Sequence, residues 1–160
     1  MEYGAREQSV QVYLGESVLL GTMFAAVDEL VEFFNVGGRY LHLHQPMWFP
    51  YREGASAANR REAVVSKSEV LFVVHRRGLP AVAGAEEEQE DWQPLEVSTG
   101  RFVLRGCADL AAAGTVGNLI ASPERFFVLR DVGIEGPIGA VFTEPLVIVN
   151  GDRVSFVATR

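Results

Sequence analysis

Two histidines in the first half of the chain are spaced to act together. His42 and His44 are two residues apart in a segment whose apolar and polar residues alternate as in a strand. Side chains two apart in a strand share a face, so both imidazoles lie on the same face as Tyr40. Two imidazoles can bind a metal or an anion, but a zinc site needs three or four ligands and the sequence offers no third. These positions fit either a metal or small-ligand site, or ordinary surface and interface histidines.

Aromatic and arginine side chains are concentrated just after this pair, in the segment 45–62. The segment contains Trp48, Tyr51, Arg52, Arg60 and Arg61. Aromatic rings beside arginines can stack on nucleic-acid bases or on a protein partner. The same rings can instead cap a small barrel or pack within the chain. We expect a loop here, and it is a candidate binding region because the second half of the chain has no counterpart.

Groups suited to catalysis are sparse. The single cysteine, Cys107, lies in a half of the chain without histidine, so a cysteine nucleophile with a paired base is not predicted. The sequence contains no phosphate-binding glycine loop, no Gly-x-Ser-x-Gly motif and no paired histidines with metalloprotease spacing. We therefore predict that the protein is not an enzyme and uses no cofactor.

Composition restricts the compartment and the partners. One cysteine excludes a disulfide within the chain, which is typical of the reducing cytoplasm. The longest apolar run, 18–27, is too short to span a bilayer, so we expect a cytoplasmic protein with no membrane partner. The net charge of −7 is concentrated in Glu86, Glu87, Glu88, Glu90 and Asp91. Because phosphate backbones require cationic surfaces, this balance argues against nucleic acid as a partner.

The chain resembles itself at a spacing of about 85 residues. The matching pairs are Val12 with Val97, Gly15 with Gly100, Leu19 with Leu104, Gly21 with Gly106, Arg39 with Arg125, Leu43 with Leu129, Phe72 with Phe156 and Val73 with Val157. Both glycine spacing and apolar spacing are repeated, so the two halves are predicted to share one fold. The glycine pairs are expected at turns or strand ends, where the lack of a Cβ matters.

Each half contains the same predicted series of elements. Two strands around a glycine turn are followed by a short helical segment, a third strand and a last strand that is interrupted. The interruptions lie at 66–68 and 150–152, and the second has the composition of a hairpin turn. We predict a mainly β protein with two tandem small barrels, each with a short helical segment. The barrels cover 8–79 and 94–160, and an acidic linker covers 80–93.

The second half resembles the Sm-like family of small SH3-like barrels, which includes LSm and Hfq proteins. Segment 95–106 (LEVSTGRFVLRG) is similar to the first two strands of the family, 127–132 (FVLRDV) to its third strand, and 149–157 (VNGDRVSFV) to its closing turn. The resemblance implies a Sm-like barrel in each half and rings formed through strand edges. Family members hold RNA bases with an Asn after the second strand and an Arg in the last turn. Here the loop 109–115 has no Asn, and Asn150 and Ser66 occupy the Arg positions.

These features favour a non-catalytic protein-interaction or assembly module. Two barrels leave strand edges that need a partner, so we expect a homo-oligomer and an unidentified protein partner. The alternatives are RNA binding of the Sm type, and binding of a metal or small ligand by the histidine pair. The candidate binding residues are Tyr40, His42, His44, Trp48, Tyr51, Arg52, Arg60 and Arg61.

Overall fold

The computed structural model describes residues 5–26, 29–77, 92–111, 113–137 and 141–160. These residues form eleven strands, two helices of six residues each and two short 3-10 turns. The strands are β1 (Arg6–Tyr13), β2 (Ser17–Ala25), β3 (Tyr40–Pro50), β4 (Ala58–Asn59), β5 (Glu62–Ser66), β6 (Phe72–Arg77), β7 (Trp92–Thr99), β8 (Phe102–Asp109), β9 (Phe126–Glu135), β10 (Val141–Asn150) and β11 (Val154–Thr159). The helices are α1 (Leu30–Asn35) and α2 (Val116–Ala121), and the 3-10 turns are Lys67–Glu69 and Gly151–Arg153. The predicted mainly β fold with two short helices is confirmed.

All the described strands belong to one antiparallel sheet. Its order is β11-β7-β8-β9-β10-β6-β1-β2-β3-β4, and β5 also pairs with β3. The elements occur twice in the same order: two strands, a helix, a strand, and two more strands separated by a 3-10 turn. Only β4 interrupts this order. Within the described residues, the sheet ends at β11 on one side and at β4 and β5 on the other.

The strands β6 and β10 join the two halves of the chain. Residues 72–74 of β6 pair with residues 147–149 of β10. Because successive side chains point to opposite faces of a strand, Val73 and Ile148 enter one core cluster, whereas Phe72 enters another. Most residues of the first cluster precede position 78 and most of the second follow position 91, yet each cluster contains residues from both halves. The two cores therefore meet across a single continuous sheet.

A tight 3-10 turn, and not a hairpin, separates β10 from β11. The hairpin predicted at 150–152 is wrong, because β10 pairs with β9 and β6 whereas β11 pairs with β7. The buried Asn150 side chain stabilises the turn. Its Oδ1 accepts a hydrogen bond from the Asp152 amide at 3.0 Å, and its Nδ2 donates to the Val70 carbonyl at 2.9 Å. These bonds satisfy the polar groups where the chain changes direction.

Two bulges bend the long strands at matching places. The β2·β3 pairing is irregular around Gly21 and the β8·β9 pairing around Gly106. Opposite these glycines, Gln45 and Asp131 have positive φ values of 48° and 52°. A Cβ on Gly106 would lie 2.9 Å from a carbonyl oxygen of β9. Gly15 and Gly100 lie in the turns after β1 and β7, as predicted. The same prediction is wrong for Gly21 and Gly106, because both lie inside bulged strands.

The acidic stretch of the predicted linker, 80–91, lies outside the described residues. Its last two positions, 92–93, begin β7. The predicted first unit, 8–79, contains most of β1 and all of β2 to β6, and the predicted second unit, 94–160, contains most of β7 and all later elements. In the parts of the chain that are described, no helix has the length and apolar character needed to cross a membrane.

Candidate functional site

The outer surface of β3 and β5 carries the histidine pair. Tyr40, His42 and His44 are exposed, and the two leucines between them are buried, as the alternation predicts. Val64 of β5 lies directly opposite His42 in the strand register and is 54% exposed. Residues opposite each other in antiparallel strands lie on the same face. We call Tyr40, His42 and Val64 together the open face.

The neighbours of His44 are aromatic and charged. Its ring lies 5.2 Å from the Phe24 ring in an edge-on arrangement. A shallow cavity of about 420 Å³ beside it is lined by Glu7, Arg61 and Glu62, among others. In the described part of the chain, no three His, Cys, Asp or Glu side chains are grouped so that they could hold a metal ion. The surface around His44 is therefore a mixture of rings and charges.

The segment 45–62 is partly strand, so the prediction of a loop throughout is wrong. β3 continues past its bulge to Pro50 because β2 and β4 both pair with this stretch. Trp48 is half-buried against the first core cluster. Tyr51 packs against the second cluster, with its ring 5.5 Å from that of Phe102. Trp48 and Tyr51 therefore pack within the chain, which is one of the roles that the sequence left open for these rings.

The aromatic residues of this segment do not form one surface with its arginines. The Tyr51 hydroxyl is buried and has no hydrogen-bond partner among the described residues. Burial, together with the nearby Tyr13 and Glu16, raises the pKa of Tyr51 well above its usual value of 10.0. Three side chains are instead exposed to solvent: Arg52, Arg60 and Arg61. The structure therefore separates the predicted aromatic and cationic parts of this candidate site.

A polar cleft that the sequence did not predict lies where α1 approaches β9 and β10. It has a volume of about 630 Å³, and its lining includes Asn35, Arg39, Ser66, Lys67, Ser68, Arg125, Asn150 and Asp152. Lys67 is only 7% exposed. Its Nζ donates to the Phe33 carbonyl at 2.6 Å and lies 4.3 Å from the centre of the Phe33 ring. Burial lowers the pKa of Lys67 from its ordinary value of 10.5.

The lining of this cleft is cationic although the chain is acidic. Arg39, Lys67 and Arg125 oppose one carboxylate, Asp152, which pairs with Arg125 at 3.3 Å. With Lys67 protonated, three positive charges and one negative charge give a net charge of +2, against −7 for the whole chain. Lys67 is the only lysine in the sequence, and this was the one available signal. In the sequence, Lys67 otherwise stands out only as part of the strand interruption at 66–68.

Asn35 attaches α1 to the start of β9. Its Nδ2 donates to the Phe126 carbonyl at 2.9 Å, and the Phe126 amide donates to its Oδ1 at 2.7 Å. The Phe34 ring packs 5.2 Å from the Phe126 ring. Phe126 and Ile148 of β10 are buried in the first core cluster, and Val128 packs against it. We call Phe126, Val128 and Ile148 together the covered face.

The two outermost strands of the halves present apolar side chains to solvent. Val64 of β5 is exposed, and Phe156 of β11 is 52% exposed. Each strand pairs with one neighbour among the described residues, β5 with β3 and β11 with β7. Their other edges present backbone N–H and C=O groups that another strand can pair with.

Comparison of the chain with protein-family models, curated proteins and solved structures found no match.

Proposed function

We propose that the protein is a non-catalytic assembly module that associates with copies of itself, head to tail, through β5 and β11. The observation that carries this proposal is the β6·β10 pairing, which joins two halves with the same order of elements. We propose further that each half is a Sm-like barrel unit. The matching bulges at Gly21 and Gly106 support this equivalence, because they occur at residues that the sequence repeat aligns.

The repeat gives a register for the pairing between copies. In their last two strands the halves match at an offset of 84 residues, so β5 corresponds to β10 and β11 to β6. Within the chain, Ile148 of β10 pairs with Val73 of β6. If β5 of one copy pairs with β11 of the next copy in the same register, three residue pairs form between the copies. They are Ala63 with Ala158, Val64 with Val157, and Val65 with Phe156.

The proposed pairing removes two unfavourable features of the free chain. Strand edges with unpaired backbone groups attract other strands unless they are covered. The exposed Val64 and Phe156 side chains would leave water on association, which is favourable. Because the two edges are different surfaces, the contact is heterologous. Repeated addition of copies therefore produces a closed ring, or a filament if the rotation does not close.

The mass of the full-length protein in solution, measured by sedimentation across a concentration series, tests the proposal. We expect reversible association, and we expect Phe156→Lys to weaken it at least ~30-fold, which is about 2 kcal/mol. Phe156 corresponds to Phe72, which is fully buried at the internal junction, so a lysine there would lose its hydration. Val141→Lys is the control because Val141, on β10, is 69% exposed and lies away from both edges. A monomeric wild-type chain at high concentration would exclude the proposal.

Binding of nucleic acid or another phosphate in the polar cleft is the second candidate function. Its support is the net positive lining around Lys67 in an otherwise acidic chain. Clefts lined by one sign of charge concentrate field lines, so a local cationic site is effective despite the overall charge. Arginine also matches the geometry of a phosphate with two parallel hydrogen bonds. The acidic balance of the chain and the missing Sm-type base contacts argue against tight RNA binding.

Fluorescence polarisation with U-rich and A-rich single strands at about 50 mM salt tests this second function. Binding in the cleft requires that Arg39→Gln and Arg125→Gln weaken the complex. Arg101→Gln is the matched control because Arg101 is exposed and lies outside the cleft. Binding that is lost only in Arg60→Ala/Arg61→Ala would move the site to the 45–62 segment. No binding at this low salt would exclude the function, because low salt favours phosphate contacts.

A further inference from the structure

We infer that α2 of one copy docks on the open face of the next copy. This inference rests on the assembly proposed above and adds a second contact to the strand pairing. It also gives the exposed Tyr40 and His42 a role as a surface for a second copy of this chain.

The junction inside the chain already contains this combination of contacts. Strand pairing joins β6 to β10, and α1 lies over the covered face. Leu30 and Phe34 of α1 are buried, and the Phe34 ring contacts Phe126. Phe126 is accordingly 3% exposed. A helix on the outer face of the neighbouring half is therefore part of how this protein joins one half to the next.

The open face is the counterpart of the covered face. The sequence repeat aligns Tyr40 with Phe126 at an offset of 86, and Val64 with Ile148 at an offset of 84. The strand registers agree independently: His42 lies opposite Val64, and Val128 lies opposite Ile148. The exposures are opposite, because Tyr40 is 56% exposed and Phe126 is buried. The open face therefore has the arrangement of the covered face, with Tyr40 and His42 in place of Phe126 and Val128, but no helix lies over it in the described residues.

The helix α2 is the counterpart of α1. An offset of 86 aligns Val116 and Ile120 of α2 with the buried Leu30 and Phe34 of α1. No residue of α2 is fully buried, and Val116, Leu119 and Ile120 pack only partly against the second core cluster. Its sequence, VGNLIA, contains no charged residue, so it can cover Tyr40 and Val64 without burying a charge of its own. The chain thus carries both parts of a second junction, with the open face in the first half and α2 in the second.

The contact between copies lacks the hydrogen bonds by which Asn35 attaches α1 to the second half within the chain. Ala121 occupies the place of Asn35 in the repeat, so the two hydrogen bonds to the backbone of the neighbouring half have no equivalent. Because such bonds favour association when their partners are desolvated, the contact between copies is weaker than the internal contact. We expect reversible association that depends on protein concentration.

Cysteine cross-linking between two full-length variants tests the docking directly. Both variants carry Cys107→Ala to remove the native thiol; one also carries Tyr40→Cys and the other Ile120→Cys. These positions correspond to Phe126 and Phe34, whose rings lie 5.2 Å apart. We expect a disulfide-linked dimer in the mixture and none with either variant alone. The control replaces Tyr40→Cys with Val141→Cys, at an exposed valine outside the proposed contact.

Sedimentation of the same samples separates the possible failures. Assembly with the Tyr40→Cys/Ile120→Cys cross-link supports the docking. Assembly without that cross-link, or with equal cross-linking in the Val141→Cys control, overturns the docking and leaves the strand-pairing proposal standing. The absence of assembly overturns both. Tyr40→Glu gives a second readout: because Tyr40 is 56% exposed in the free chain, the change should weaken association at least tenfold while circular dichroism shows an unchanged fold.

Discussion

Replacement of Asn35 by alanine measures how much the attachment of α1 to β9 contributes to stability. The change removes two hydrogen bonds, of 2.9 and 2.7 Å, to the backbone of Phe126. Both bonds are partly buried, so the Phe126 amide and carbonyl lose their partner where water has limited access. At roughly 1–1.5 kcal/mol for each bond, Asn35→Ala should reduce the free energy of unfolding by about 2–3 kcal/mol.

Urea unfolding followed by circular dichroism provides the measurement. With an m value of about 2 kcal/mol/M, the midpoint should fall by about 1–1.5 M. The control is Asn118→Ala on α2, because the Asn118 amide donates to the Ala113 carbonyl at a similar 2.9 Å but is exposed. This control should change stability by less than about 0.5 kcal/mol. All samples need one protein concentration, since association adds to apparent stability. Equal midpoints for the two variants would refute the argument.

Three further substitutions test individual features of the fold. Gly106→Ala should lower the free energy of unfolding by at least about 2 kcal/mol, because the added Cβ would meet a strand carbonyl. The control is Gly38→Ala, which has open space around it and should lower this free energy by less than about 0.5 kcal/mol. Thermal unfolding compares the two variants. Because the folded chain lowers the pKa of Lys67, the unfolded chain binds more protons between that pKa and 10.5, so stability from this residue rises with pH in that range. Lys67→Met should remove this rise in the free energy of unfolding, measured by chemical unfolding from neutral pH to about pH 10. If the free energy of unfolding of the variant rises with pH as steeply as that of the wild type, Lys67 is not the cause of the rise. Tyr51→Phe removes a buried hydroxyl without a partner among the described residues and should leave the urea midpoint equal or higher; a loss above about 1 kcal/mol would show that the hydroxyl is bonded.

Local patterns in the sequence identified most of the elements but not the partners of those elements. Alternation identified Tyr40, His42 and His44 as one strand face, and the glycine spacing identified the matching halves. The 45–62 segment was mistaken for a loop, because whether an aromatic run continues a strand depends on neighbours such as β2. Pairing of this kind is set by packing across the sheet and not by propensity alone.

The polar cleft was missed for a related reason. Lys67 and Asn35 are ordinary polar residues in the sequence, and they become buried or doubly hydrogen-bonded only through groups elsewhere in the chain. Asn35 finds its partner 91 residues away. The exposure of Tyr40 and Phe126 could not be predicted for the same reason. The repeat aligns these two aromatic residues, but only Phe126 has a helix packed on it, so Phe126 is buried and Tyr40 is exposed. Such contacts follow from topology, which the sequence repeat alone did not specify.

The mixed membership of the two core clusters determines where this chain can be cut. A fragment that ended after β6 would expose Leu71, Phe72 and Val74, all of which are at most 1% exposed in the whole chain. A fragment that began at β7 would expose Ile148 in the same way. Neither fragment retains its full apolar core. We therefore expect the two halves to unfold together, so that a substitution in one half changes the stability of the other.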